Sequence, residues 1–231
     1  MSLSVVPGID VSHHQGTVDW KAVAGAGISF AYAKATEGTN FFDSQFAPNW
    51  KGMQNAGIIR GAYHFFRPAA APKAQAGQFV STVESIEVGD LPPVLDLEEA
   101  RTSTGQDEWQ AFPIEQRIPL ALEWLEEVEE KLGRRPLIYT RSGFVKSYFG
   151  NAGQLANYLL WIAHYTPAPE PNVPTGWANW AFWQYSDSGQ VSGIVGRVDL
   201  DRFNGSVAEL TAFAGTVPAG DQPGAGQAAG V

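Results

Sequence analysis

Acids fall at the ends of several apolar runs in this chain, at spacings suited to proton transfer. The stretch PPVLDLEEA (residues 92–100) carries Asp96 and Glu98 two positions apart. Alternate residues of a strand face the same way, so Val94, Asp96 and Glu98 share one face and Leu95 and Leu97 the other. Same-face neighbours lie about 6.5–7 Å apart at Cα. Leaning carboxyls then reach the ~5–9 Å separation that paired acids use in glycosidic cleavage. A carboxylate buried alone is costly, so it shifts its pKa, finds a partner or serves a purpose. Asp10 closes VVPGIDVS (5–12), and Asp199 is expected near the end of the strand GRVDLDRF (196–203). Crowding raises at least one of these pKa values and leaves a proton-bearing acid beside ionised ones, the arrangement acid–base catalysis needs. Glu99 points away from Glu98 and is read as solvated or ion-paired.

Aromatic and polar side chains gather at the same strand ends. Tyr32, Tyr63, Tyr139, Trp161, Tyr165, Trp183 and Tyr185 offer flat rings for pyranose faces, with phenol and indole groups to hydrogen-bond. Lys34, His64 and Gln184 are candidate polar contacts in the same cleft. A metal site built from His14, His64, His164 and Asp10 is the competing use of the histidines. No HxH or HExxH pair supports it, and His13 and His14, adjacent on a strand, would face opposite sides. No metal or other cofactor is expected.

The elements that must position these groups alternate. Apolar β-rich runs at 5–12, 29–36, 58–66, 92–100 and 135–140 are each followed by a helical pattern, the rhythm of parallel βαβ construction. The clearest helix is PIEQRIPLALEWLEEVEEKLG, with Leu120, Trp124, Leu125, Val128 and Leu132 on one stripe and Gly133 as its stop. Runs at 158–165, 180–186 and 196–203 then read as strands joined by Pro/Gly/Asn loops, and SVAELTAFAG as a final helix. Eight strands and five regular helices predict an α/β barrel with an irregular last third. In a closed barrel the first and eighth strands are neighbours, so Asp10 and Asp199 would meet at the mouth, where barrels carry their chemistry.

Composition bounds the rest. The chain has 231 residues, 44 % hydrophobic and 17 % charged, enough for one large core. Its net charge of −9 argues against non-specific binding to nucleic acid or anionic lipid. Without cysteine there are no disulfides, thiolate nucleophiles or Cys-ligated zinc. No run approaches the ~20 apolar residues of a membrane span. The start MSLSVVPGID lacks the basic and apolar regions of a signal peptide, so localisation stays open between phage-type release through a holin and another export route. The expected organisation is a barrel over 1–214 and a flexible tail or linker over 215–231, whose Gly/Ala/Pro-rich composition cannot bury enough apolar surface to order itself.

In order along the chain, GIDVSHHQG, AYAKATEG, GAYHFF, PVLDLEE, IYT, LWIAHY, FWQYS and VDLDRF resemble the glycoside hydrolase family 25 lysozymes, the Chalaropsis-type muramidases. The resemblance covers roughly residues 7–213. It implies a modified TIM barrel of five βα units followed by three strands with irregular connections. It also implies cofactor-free hydrolysis of the β-1,4 bond between N-acetylmuramic acid and N-acetylglucosamine in bacterial peptidoglycan. Separately, a monomer that does not insert into the membrane is expected, although the sequence does not fix the oligomeric state. Carried onto this chain, the acid/base is Glu98, its partner Asp96, and the supporting acids Asp10 and Asp199. The sequence leaves open a glycosyl-enzyme formed through an aspartate or attack by the substrate's acetamido group; the second is favoured, with Asp96 orienting and polarising that group. The family's last motif more often ends in Asn, where this chain has Asp201 and hence an extra charge near the rim. The alternatives are a metal-dependent polysaccharide deacetylase and a catalytically silent sugar-binding barrel, of which the latter usually lacks an acid. A chitinase would carry spaced aspartates where Val94 and Leu95 stand.

Overall fold

A computed structural model describes residues 5–215. The chain runs β1 (Val5–Val11), α1 (Trp20–Gly25), β2 (Phe30–Glu37), β3 (Phe41–Phe42), α2 (Phe46–Asn55), β4 (Ile59–Phe65), α3 (Pro72–Val83), β5 (Val94–Asp96) and α4 (Ile114–Leu132). It continues through β6 (Leu137–Thr140), a short α/π-helical segment over 142–149, β7 (Leu159–Ala163), β8 (Phe182–Gly189), β9 (Val198–Asn204) and a last helix, Val207–Ala214. Eight of the strands close a barrel in the order β1, β2, β4, β5, β6, β7, β8, β9, and β3 is a two-residue spur on β2. The expected strands and helices are therefore present, with β3 added.

Apart from the β3 spur, which is antiparallel to β2, neighbouring strands pair in parallel from β1 through β8, whereas β9 runs antiparallel to both β8 and β1. This corrects the reading of Asp199. It lies near the start of its strand, and the reversed direction brings it to the rim where the parallel strands end. Asp10 and Asp199 are cross-strand partners.

Strand alternation divides the core into two layers. Ile9, Ala31, Ala33, Leu95, Leu97 and Ile138 face outward onto the helices, where Trp124, Leu125 and Val128 of α4 meet them. Val6, Phe30, Tyr32, Val94, Leu137, Trp161, Phe182 and Phe203 fill the barrel itself, and Leu210 and Ala214 of the last helix join the same cluster. Rings this large need bare neighbours. Gly8 is the register partner of Phe30 and Gly61 that of Tyr32; a Cβ on Gly8 would lie 2.2 Å from the Phe30 ring and one on Gly61 2.1 Å from the Tyr32 ring. Helix α4 ends as expected at Gly133, whose φ of 65° is a left-handed stop. No helix among the described residues is long and apolar enough to cross a membrane. The tail assigned to 215–231 lies, from residue 216 on, outside the described residues.

Candidate active site

β5 delivers Asp96 as its last residue, and the chain then bends through Leu97–Glu98. That bend is held from three sides. The Leu97 amide donates to the Tyr139 carbonyl (2.9 Å), Thr140 Oγ1 donates to the Leu97 carbonyl (2.8 Å), and the buried Trp109 indole donates to the Glu98 carbonyl (2.9 Å). Glu98 is thereby aimed into the mouth beside Asp96. Together with Asp10, Asp199, Tyr63, Tyr139, Trp161 and Gln184 they line a well of ≈ 90 Å³.

Gln184 is the hub of the well. Its Nε2 donates to Asp10 Oδ2 at 2.7 Å and to Asp199 Oδ2 at 3.3 Å. Its Oε1 accepts the phenols of Tyr139 at 2.9 Å and Tyr165 at 2.7 Å. One amide therefore ties two acids to two ring hydroxyls. Below it, Asp201 is fully buried, accepting from Trp161 Nε1 at 2.9 Å through Oδ1, while its Oδ2 has no partner among the described residues. Asp96 Oδ1 is likewise buried without a partner among them.

Desolvation is the first cause of every pKa shift here, and it pushes all five carboxyls up. Asp10 is raised well above its ordinary value by burial and then by the charges of Asp199 and Asp201. Asp201 is raised well above its own by burial, against the Trp161 hydrogen bond. Asp199, closer to solvent, is raised to about 6. Asp96 is raised by burial and by Glu98, and Glu98 by burial against the pull of Arg141 and Lys34. Two adjacent desolvated carboxyls oppose each other's ionisation, so the Asp96–Glu98 pair favours keeping one proton between them. Buried beneath Gln184 with its pKa raised by desolvation, Asp201 favours the neutral form and lies below the rim, where its sequence position had suggested an extra charge.

The other anticipated residues divide. Tyr63, Tyr139, Trp161 and Gln184 reach the well, and Tyr165, 51 % exposed, stands at its edge. Lys34 does not line it; its Nζ pairs with Glu37 at 2.6 Å and sits over the Phe41 and Phe65 rings, acting on the acids by charge alone. Tyr32 is a correction. Its ring stacks on Trp161 (centroids 4.8 Å apart), its hydroxyl donates to the Pro92 carbonyl, and it is fully buried. It is the floor under Trp161, not a contact surface.

His64 is the second correction. It faces the helices, stacks on Trp124 and hydrogen-bonds Thr36 Oγ1 at 2.7 Å and Gln75 Oε1 at 3.0 Å, and burial lowers its pKa to about 3. Trp183 also turns outward, onto Leu160, Ile162 and Trp180. His64, His164 and His14 do not converge on Asp10, and no metal-ligating cluster of three or more groups occurs among the described residues. Arg141 was missed. It directly follows β6, pairs with Glu99 and lowers the pKa values of both Asp96 and Glu98; its place just after a barrel strand was the available signal.

A closed barrel whose mouth sets paired acids beside aromatic rings is the apparatus of a glycoside hydrolase. Residues 9–194 match the profile of the glycosyl hydrolases family 25. Lysozyme M1 of Streptomyces globisporus is 42 % identical over 219 residues, covering 91 % of this chain and 72 % of that protein. The N,O-diacetylmuramidase of Arthroderma benhamiae is 32 % identical over 212 residues, covering 90 % and 86 %. Among solved structures, the bacterial lysozyme from Streptomyces coelicolor aligns with a TM-score of 0.85 at 41 % identity, covering 91 % of this chain and 97 % of that one. The chain belongs to glycosyl hydrolases family 25.

Proposed function

We propose that this glycoside hydrolase is a lysozyme acting on bacterial peptidoglycan as an N-acetylmuramidase. It would cut the β-1,4 bond from N-acetylmuramic acid to N-acetylglucosamine. The observation that carries the reading is the pairing of Asp96 and Glu98 in one aromatic-walled well. The lysozyme and muramidase names of its relatives support the substrate.

In this mechanism Glu98, protonated through burial, gives its proton to the glycosidic oxygen as the bond to C1 breaks. The acetamido carbonyl oxygen of the same muramic acid attacks C1 from the opposite face, and Asp96 accepts the acetamido N–H and stabilises the resulting cation. That hydrogen bond favours the ionised form of Asp96 and moves the pair's proton onto Glu98, where it is needed. Glu98, now a carboxylate, then takes a proton from the water that opens the cyclic intermediate, with net retention at C1. Asp10 and Asp199, held by Gln184, fix the wall against which the sugar rests.

The test is digestion of purified peptidoglycan, followed by borohydride reduction and mass analysis of the new ends. N-acetylmuramitol is expected. N-acetylglucosaminitol would make the enzyme a glucosaminidase, and released stem peptides without new reducing ends would make it an amidase.

A further inference from the structure

We propose that a trough beside the well binds the acidic peptide arm that muramic acid carries on its lactyl group; this rests on the muramidase reading above. The trough begins at Tyr165 and the Glu99–Arg141 pair and holds ≈ 560 Å³ between the ends of β5, β6 and β7. It continues, through shared walls at Ser142 and Asn172, into a further ≈ 310 Å³ bordered by Lys146.

Two features join it to the chemistry. The Tyr165 hydroxyl at its near end donates to Gln184, which holds Asp10 and Asp199. Arg141, in its wall, lies close enough to act on the charges of Asp96 and Glu98. A substituent leaving a sugar seated in the well on the Tyr165 side therefore meets the trough next.

Charge decides between peptide and glycan as the occupant. The protein carries −9 overall and its well is lined by acids. The trough departs from that pattern, with Arg141, which pairs with Glu99, at its near end and Lys146, an exposed cation with no acid among the described residues lining its part of the trough, farther along. A glycan strand is neutral outside its lactyl groups and gains nothing from two cations. Stem peptides bear free carboxylates, which a guanidinium and an ammonium recognise. A glycan-binding groove would instead present a row of ring faces, and Tyr165 at the inner end is the one exposed ring here.

The experiment compares glycan strands bearing stem peptides with the same strands after amidase removal of the peptides. The readout is the ratio of kcat/KM on the two substrates. Wild type should favour the peptide-bearing strand, and the preference should shrink with added salt. Two variants attack the trough. A Cβ at Gly143 would meet no atom within 4 Å, so Gly143→Trp fills the space without a backbone clash. Lys146→Glu reverses an exposed charge and, as a surface change, keeps the test usable if the first variant folds poorly. Lys146→Glu should lower the ratio by about two- to fivefold, the size of an exposed charge contact, and Gly143→Trp, which blocks the space itself, by at least as much. A wild-type ratio at or below unity, or a ratio unmoved by Lys146→Glu, overturns the proposal. If wild type cleaves neither substrate, the muramidase reading falls and this inference with it. Cleavage of the stripped strand with no peptide preference overturns the trough alone.

Discussion

Glu98 and Asp96 occupy one well but experience different surroundings, and that difference assigns their work. Glu98 is half-buried and faces the cations Arg141 and Lys34, whereas Asp96 is buried with one oxygen unpartnered among the described residues. The more accessible group can meet a leaving oxygen and later a water, and the deeper one is suited to a fixed hydrogen bond with the acetamido group. Glu98→Gln should therefore lose ~10²–10⁴-fold or more on peptidoglycan, the usual contribution of a general acid. On an aryl glycoside with a good leaving group, which needs little protonation, the loss should be far smaller. Asp96→Asn should slow both substrates alike, since it removes stabilisation of the cation whatever departs. Steady-state kinetics on the two substrates check this, and near-normal peptidoglycan cleavage by Glu98→Gln would reverse the roles. Neither substitution should cost more than ~1 kcal/mol of stability, because each replaces a desolvated acid with a neutral isostere.

At the scale of elements, the strands do more than carry residues to the rim; their interior glycines set how deep the well is. Gly61 leaves room for the Tyr32 ring, Tyr32 supports Trp161, and Trp161 lines the well and holds Asp201. Gly61→Ala should press on Tyr32 and cost about 1–3 kcal/mol, lowering Tm by about 2–4 °C per kcal/mol. It should also raise KM through Trp161 while leaving the pH profile unmoved; an unchanged Tm by calorimetry would show that the ring has slack. The same elements show what the sequence could reveal. Apolar runs alternating with helical patterns pointed to the barrel, and i, i+2 spacing put Asp96 and Glu98 on one face. Alternation along β4 also turns His64 outward once Tyr63 is inward. The direction of β9 was legible too, since residues 190–197 are too short a link for a parallel crossover, which needs a dozen or more. The depth of Tyr32 was not legible. It depends on strand tilt and shear around the closed barrel, which no single strand records.

Taken whole, the molecule concentrates desolvated acids at one end, and its stability should follow their protons. Asp199 has a folded-state pKa of about 6 against an ordinary 3.8. A group raised in this way contributes stability that is complete below the ordinary value and lost as pH rises through the folded one. Asp10, Asp96, Asp201 and Glu98 are shifted in the same direction by burial, so their contributions fade over the same range and beyond it. His64 works the other way. Lowered from 6.5 to about 3, it contributes stability that is complete above 6.5 and lost as pH falls toward 3. One histidine opposes five acids, so Tm should fall as pH rises through about 6, where Asp199 ionises in the folded protein, and activity should fall with rising pH as Glu98 loses its proton. Asp199→Asn isolates one member of the set. Its Tm should match wild type near pH 3, below the ordinary pKa of 3.8, where both side chains are neutral in the folded and largely in the unfolded protein. It should exceed wild type at pH 7.5, where wild type must keep a repelled carboxylate beside Asp10. Calorimetric scans at the two pH values decide the matter, and a variant less stable than wild type at pH 7.5 would mean that Asp199 is held ionised by its contact with Gln184 more strongly than burial and its neighbours oppose it.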